Sequence, residues 1–177
     1  MSVTAASVAA SSIIQAGQVN LLYGQMLLKD IPAADAARQP KGYNTNHPVW
    51  IFGHLALYPD KGMLPLMGRD DLVKPTPNGW AELFGAKSEC RDDAKGDIYP
   101  SLDTVANHFL TRTEVLYKAL AETSDDVLAG PLPPDHFFKD RMNSVGGVIT
   151  FMACCHTMSH FGQLSAWRRI MGLGPCM

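Results

Sequence analysis

The chain has 177 residues, enough to bury a substantial core within one domain spanning 1–177. Hydrophobic residues make up 46% and charged residues 18%, with a formal net charge of −2, so the chain lacks the basic excess that a nucleic-acid partner requires. No apolar run approaches the roughly 18 residues of a membrane span. The Met1–Ala10 stretch lacks the positive region of a signal peptide. Cys90, Cys154, Cys155 and Cys176 follow no disulfide-scaffold spacing. Together these features predict a cytoplasmic protein in a reducing compartment, with no membrane partner.

Residues from about Val3 to Lys29 carry helical periodicity. Ile14, Gln18, Leu21, Leu22, Gln25 and Leu28 fall on one stripe, widened by Ile13 and Met26. Gly17 and Gly24 each weaken this helix by about 1 kcal/mol relative to Ala. Ile31-Pro32 is the expected stop, because a residue before proline avoids the α region. After a loop punctuated by Pro40, Gly42 and Asn44, Asn46 is the expected cap of a second helix over about His47–Leu57. That helix is apolar on several sides, hence buried, and Pro59 and Pro65 predict a kinked continuation toward Met67. Gly68 to Pro100 is a long connection, polar and rich in Pro and Gly, with Trp80, Leu83 and Phe84 expected to anchor it in a short helical turn.

Ser101 is placed to cap a third helix whose buried side is Leu102, Val105, Phe109, Leu116 and Leu120, fading near Ser124. A loop covers Gly130 to Asn143. Ser144 then caps a fourth helix running to about Met171, with Gly172 and Gly174 as the stop. Arg168 and Arg169 stand in its last turns, where cations suit the helix dipole. Long helices, few strand-like alternations and no internal repeat predict an all-α four-helix bundle.

The chemistry-bearing stretch is Cys154 to Leu164. On a helix, His156 and His160 project from one face, offset by roughly 6 Å along the axis and about 40° around it. That spacing lets two imidazoles reach one metal ion. Six histidines in this chain give about 0.2 such pairs by chance, so the pair alone decides nothing. Helical phase places both on the side of Met152, Ala153 and Trp167, bound for the core, where two imidazoles are costly unless satisfied. A third ligand must come from another helix. His54 is the best candidate, within the apolar Trp50–Ala56 segment. Taken singly, each histidine reads as readily as a hydrogen-bonded core residue; three on two packed helices are harder to explain apart.

Other residues take plainer readings. Cys154 and Cys155 suit small buried core positions, and Met63, Met67, Met142, Met152 and Met158 suit core filling. Gln163 reads equally as a neighbour of the site or as a helix–helix contact. His108 lies on the third helix, at the surface or beside the site; His47 and His136 are loop or helix-end residues. The chain contains no Gly-x-Ser-x-Gly elbow and no Gly-rich phosphate loop after a strand, and its Asp and Glu residues are scattered in loops, which gives no support to a paired-carboxylate mechanism.

Two motifs, Trp50-Ile51-Phe52-Gly53-His54-Leu55 and His156-x-x-x-His160-x-Gly162-Gln163-Leu164, the latter followed by Arg168, Arg169 and Gly172, resemble the DinB superfamily of bacterial four-helix-bundle metalloproteins. The resemblance implies an up-down-down-up bundle with a long connection between helices two and three, and frequent homodimers. It places the family's metal-binding histidine triad on His54, His156 and His160. Its characterised relatives include metal-dependent S-transferases that use low-molecular-weight thiols.

Three neutral imidazoles with a position left open describe a catalytic rather than a structural site, and suit Zn²⁺ or Ni²⁺. The leading expectation is therefore a metal-dependent enzyme acting on a small molecule by thiol transfer or hydrolysis, with substrate entering near the Gly68–Pro100 connection. The alternative is a non-catalytic dimeric bundle whose metal is structural or absent.

Overall fold

Residues Val8–Leu27 form the first helix (α1) of the computed structural model, which describes residues 7–176. Ser7 caps it by accepting from the Ala10 N–H. The expected helical stretch before Ser7 lies outside the described residues. The expected stop at Ile31-Pro32 is placed too late: α1 ends at Leu27, and Asp30 takes a positive φ of 59° before the proline is reached. A short polar side chain tolerates that left-handed turn.

The face that α1 buries also differs from the expected stripe. It consists of Ala10, Ile13, Gly17, Asn20, Gly24 and Leu27, whereas Leu22 is 61% exposed. Small residues share the contact with Ile13 and Leu27. A Cβ on Gly17 would fall 2.1 Å from the Tyr117 hydroxyl oxygen, and one on Gly24 would fall 2.6 Å from the tip of the Phe161 ring. The glycines that weaken the helix in isolation are the seats of two aromatic side chains.

Pro48–Ala56 forms α2, buried along its whole length. Its cap is His47, not Asn46: His47 Nδ1 accepts from the Trp50 N–H at 3.1 Å, and Nε2–H donates to the Arg91 carbonyl at 3.1 Å. The kink expected at Pro59 is a widened π-helical turn, Pro59–Met63, leading into the short helix α3, Leu64–Leu66. The long connection that follows contains the expected short helix (α4, Trp80–Phe84) with Trp80 and Phe84 buried. Its last part is tied down by Asp93, which accepts from the N–H groups of Gly96, Asp97, Ile98 and Tyr99. Burial opposes charge on this carboxylate. The four donors outweigh it and hold its pKa below the usual range.

Leu102–Ala121 forms α5, capped by Ser101. A short α6, Asp125–Ala129, is capped by Ser124. The last helical stretch runs from α7, Val145–Thr150, through a second π-helical turn, Phe151–His156, into α8, Thr157–Ile170. Among the described residues the fold is all helical, without strands.

Packing of α2 against α8 rests on three aromatic rings, one each from α2, α5 and α8. Phe52 lies 5.6 Å from Phe109 and 5.5 Å from Phe161 between centroids, and Phe109 lies 6.0 Å from Phe161. Phe52 stands two residues before His54, and Phe161 directly follows His160, so this cluster sets the spacing of the helices that carry the histidines. Within the π turn Pro59–Met63, Asp60 forms a buried two-pronged ion pair with Arg112 of α5 (2.8 and 2.6 Å), and Arg112 also donates to the Leu72 carbonyl. Removing one partner of such a pair strands a buried charge, typically at about 3–5 kcal/mol.

Arg168 corrects a further expectation. It does not serve its own helix end. It is buried, and its Nη1 donates to the Leu27 and Lys29 carbonyls, closing the C-terminus of α1. Cys155 and Met158 are likewise exposed rather than buried.

The seating of aromatic rings on α1 has a signed consequence. Gly162, in the middle of α8, has open space where a Cβ would project. Gly162→Ala should stabilise the protein by up to about 1 kcal/mol through helix propensity, whereas Gly24→Ala should destabilise it by about 1–3 kcal/mol through overpacking against Phe161. Urea unfolding of the two variants checks both signs; stabilisation by Gly24→Ala would contradict the packing described.

Candidate metal centre

α2 presents His54 one turn after Trp50. The Trp50 ring stacks on the imidazole, with centroids 4.6 Å apart and planes 14° from parallel. His54 Nδ1–H donates to the Phe84 carbonyl at 2.7 Å, which fixes the tautomer and leaves the Nε2 lone pair facing inward. The long connection thus reaches the site through the end of α4.

The π turn Phe151–His156 ends on the second histidine. A widened turn leaves carbonyl groups outside the regular helical ladder. Two residues serve carbonyls within this turn: Asn20 of α1 donates to the Ala153 and Cys154 carbonyls at 3.3 and 2.9 Å, and Thr157 Oγ1 donates to the Met152 carbonyl at 3.1 Å. His160 follows one turn later on α8. Its Nδ1–H donates to Gln163 Oε1 at 3.2 Å, and the same oxygen accepts from Asn46 Nδ2 at 3.0 Å. Asn46 therefore ties the start of α2 to α8 through the residue that orients His160.

These supports bring the three predicted residues together. His156 Nε2 lies 3.4 Å from His54 Nε2 and 3.1 Å from His160 Nε2, and one ligand atom from each residue falls within 4.8 Å of the others. Two donors bound at about 2.05 Å with tetrahedral angles stand about 3.3 Å apart, so the spacing suits a shared ion. His54 and His160 carry their protons on Nδ1, and both Nε2 atoms are acceptors. His156 Nδ1 has no protein partner, so without an ion its proton is better placed on Nε2, where it serves one of the two facing lone pairs, while the Tyr58 hydroxyl can donate to His54 Nε2. A cation would take all three Nε2 lone pairs at once.

The surroundings keep these rings neutral. Burial, then the Coulombic effect of His160, lowers the His54 pKa to about 4, even though the Phe84 bond opposes the shift. Burial, with its two histidine neighbours, lowers that of His156 to about 3. Burial also lowers that of His160, opposed by the Gln163 bond. Neutral imidazoles are the form that binds metal.

Sequence reasoning missed four participants. Tyr58 stands 3.2 Å from His54 Nε2 through its hydroxyl, which burial keeps protonated. Its signal was the four-residue spacing from His54 on one helical face. Trp50 carried the same signal in the other direction. Asn20 and the Phe84 carbonyl left none, since both depend on tertiary contacts. Gln163, which read either way, stands beside His160. His108 packs on Trp80 at 5.0 Å and does not contact the three histidines.

Beside His156 opens an apolar cavity of about 470 Å³, bordered by Tyr58, Phe151 and Met152 as well as by Phe137 and Phe138. Access was expected from the Gly68–Pro100 connection. That connection supplies only Ala86 and Lys87 to the cavity; the loop after α6 supplies His136, Phe137 and Phe138.

Among the described residues, an all-helical fold brings together three imidazoles that could hold a metal ion, beside an apolar cavity. A family model described as the DinB superfamily matches residues 25–164, and the chain belongs to that superfamily. No curated protein and no solved structure matches the chain.

Two measurements check this account of the site. His47, with its pKa lowered to about 4, joins His54 and His156 among the rings kept neutral by burial. In each case the folded state binds fewer protons than the unfolded state, where histidine titrates near 6.5. Stability of the chelator-treated protein should therefore be level above about pH 6.5 and fall as pH drops toward about 4. Urea titrations across that window test the sign. Gln163→Leu should retain the fold but release His160, weakening Zn²⁺ affinity by about 10–100-fold in a competitive chelator titration.

Proposed function

We propose that this chain is a metal-dependent enzyme of the DinB type, with His54, His156 and His160 holding a divalent ion and a small molecule as substrate. One observation carries the reading: three neutral imidazole nitrogens converge at the end of a cavity large enough for a small molecule. The donor set favours Zn²⁺ or Ni²⁺. When bound, such an ion acts as a Lewis acid and lowers the pKa of a water or thiol in its open position. Thiol S-transfer, with a low-molecular-weight thiol as co-substrate, leads hydrolysis, because family relatives catalyse it.

The chain's own residues have definable parts. The Phe84 carbonyl and Gln163 hold the imidazoles of His54 and His160 in the ligand tautomer. Trp50 covers one face of the His54 ring, and Phe151 and Met152 wall the cavity beside His156. The Tyr58 hydroxyl, protonated at neutral pH and at the junction of site and cavity, donates a hydrogen bond to negative charge that develops there. The wider architecture follows the same reading: a single up-down-down-up four-helix bundle, cytoplasmic and homodimeric. No described helix is long and apolar enough to cross a membrane.

Elemental analysis of untagged protein tests the metal. Wild type should hold about one equivalent of metal per chain and His156→Ala far less, with a near-native circular dichroism spectrum. Equal, negligible metal in both would remove the proposal. Chelation that lowers the melting temperature while leaving thiol-dependent turnover of an electrophile unchanged would assign the ion a structural role.

A further inference from the structure

The cavity beside His156 has a composition that the metal site does not require. Its walls are aromatic and aliphatic, with Phe137, Phe138, Phe151 and Val148 among them. Its only ionisable side chains besides the two histidines and Tyr58 are Lys61 and Lys87; no aspartate or glutamate of the described residues lines it. Both lysines are exposed, and neither forms an ion pair among the described residues. The Arg141 guanidinium sits 5.4 Å above the ring of Phe137, itself one of the lining residues. The chain as a whole is slightly acidic, with net charge −2, so this cationic edge runs against its average.

Two further features point to a ligand. Phe137 is 76% exposed although it borders an apolar cavity, an arrangement that leaves a large ring in water until something covers it. His136 is turned so that its Nδ1 accepts from the Phe138 N–H at 3.2 Å, which leaves its proton on Nε2 as a donor in the neutral ring. The lining therefore offers apolar walls and hydrogen-bond donors, with positive charge and no negative charge.

We infer that this cavity binds an amphipathic carboxylate, its apolar body between Phe137, Phe138 and Phe151 and its carboxylate at the Lys61–Lys87 edge. The inference deepens the reading of the metal centre by naming the substrate class. It rests on that reading only for the reactive end of the molecule, which lies toward His156 and Tyr58. The selectivity follows from charge: a carboxylate gains charge-assisted hydrogen bonds from the lysines, an alcohol of the same shape gains neutral ones, and an amine meets repulsion.

Isothermal titration of the full chain with 4-phenylbutyrate, 4-phenylbutanol and 4-phenylbutylamine tests this, with and without prior chelation of metal. The carboxylate should bind about 10-fold or more tighter than the alcohol, and the amine weakest, in both metal states. In Lys61→Met/Lys87→Met, changes at exposed positions, the carboxylate and the alcohol should bind within about 2-fold of each other. Phe137→Ala should weaken both alike. Absence of binding, equal affinity for carboxylate and alcohol in wild type, or a preference that survives the double substitution would each overturn the inference. A preference lost on chelation but intact in the lysine variant would move the carboxylate onto the metal and overturn the lysine assignment. Because the titrations are read without metal as well, failure of the metal proposal leaves this result separately readable.

Discussion

Imidazole lone pairs aimed at one point repel unless each finds a partner: one proton on His156 serves a single neighbour, and the Tyr58 hydroxyl can serve His54, whereas a cation would serve all three. The convergence of His54, His156 and His160 is therefore an electrostatic constraint that the surrounding fold must sustain. The means are visible in named contacts. Phe52, Phe109 and Phe161 hold α2, α5 and α8 together, and the Phe84 carbonyl and Gln163 orient two of the rings. Apolar neighbours depress the three pKa values, so repulsion is not relieved by protonation near neutrality. The same burial that makes the site costly makes it fit for a cation.

The supports of the site are spread over distant segments. Asn20 from α1 serves the carbonyls of the turn before His156. The end of α4 reaches His54, and Asn46 links the approach to α2 with α8. Arg168 then holds the end of α1, so the helix that supplies Asn20 is anchored from the far end of α8. Each contact is a hydrogen bond worth about 1 kcal/mol net, yet leaving a buried partner unmet costs about 1–3 kcal/mol. That asymmetry makes these polar residues structural even where their own stabilisation is modest.

Much of this organisation was legible in the residues. The long helices, the caps at Ser101 and Ser144 and the anchoring of the long connection by Trp80 and Phe84 follow from local chemistry, and the structure has them. The two motifs around His54 and His160 pointed to the superfamily that the chain belongs to. Periodicity also put the three histidines on two packed helices, and the structure brings them within reach of one another. Errors arose where a tertiary contact overrode a local preference. The buried face of α1 is marked by Gly17 and Gly24, because Tyr117 and Phe161 fill the space their missing side chains leave. His47 displaces Asn46 as a cap, because its second nitrogen finds the Arg91 carbonyl. The π turns cannot be read from a 3.6-residue period at all, since each breaks that period.

The second of these turns separates two helices that share one backbone. A π turn carries one residue more than an α-helical turn, a phase step of roughly 100°. Upstream of it, α7 is registered against α6, where Gly146 meets the Leu128 carbonyl. Downstream, α8 is registered by Phe161, Leu164 and Trp167. The extra residue lets each half keep its own angular setting. Chain length within Phe151–His156 is thus a coordinate of the site in its own right. One residue fewer would restore a regular helix and swing either α7 off its partner or the histidines off theirs, with no side chain of the site altered.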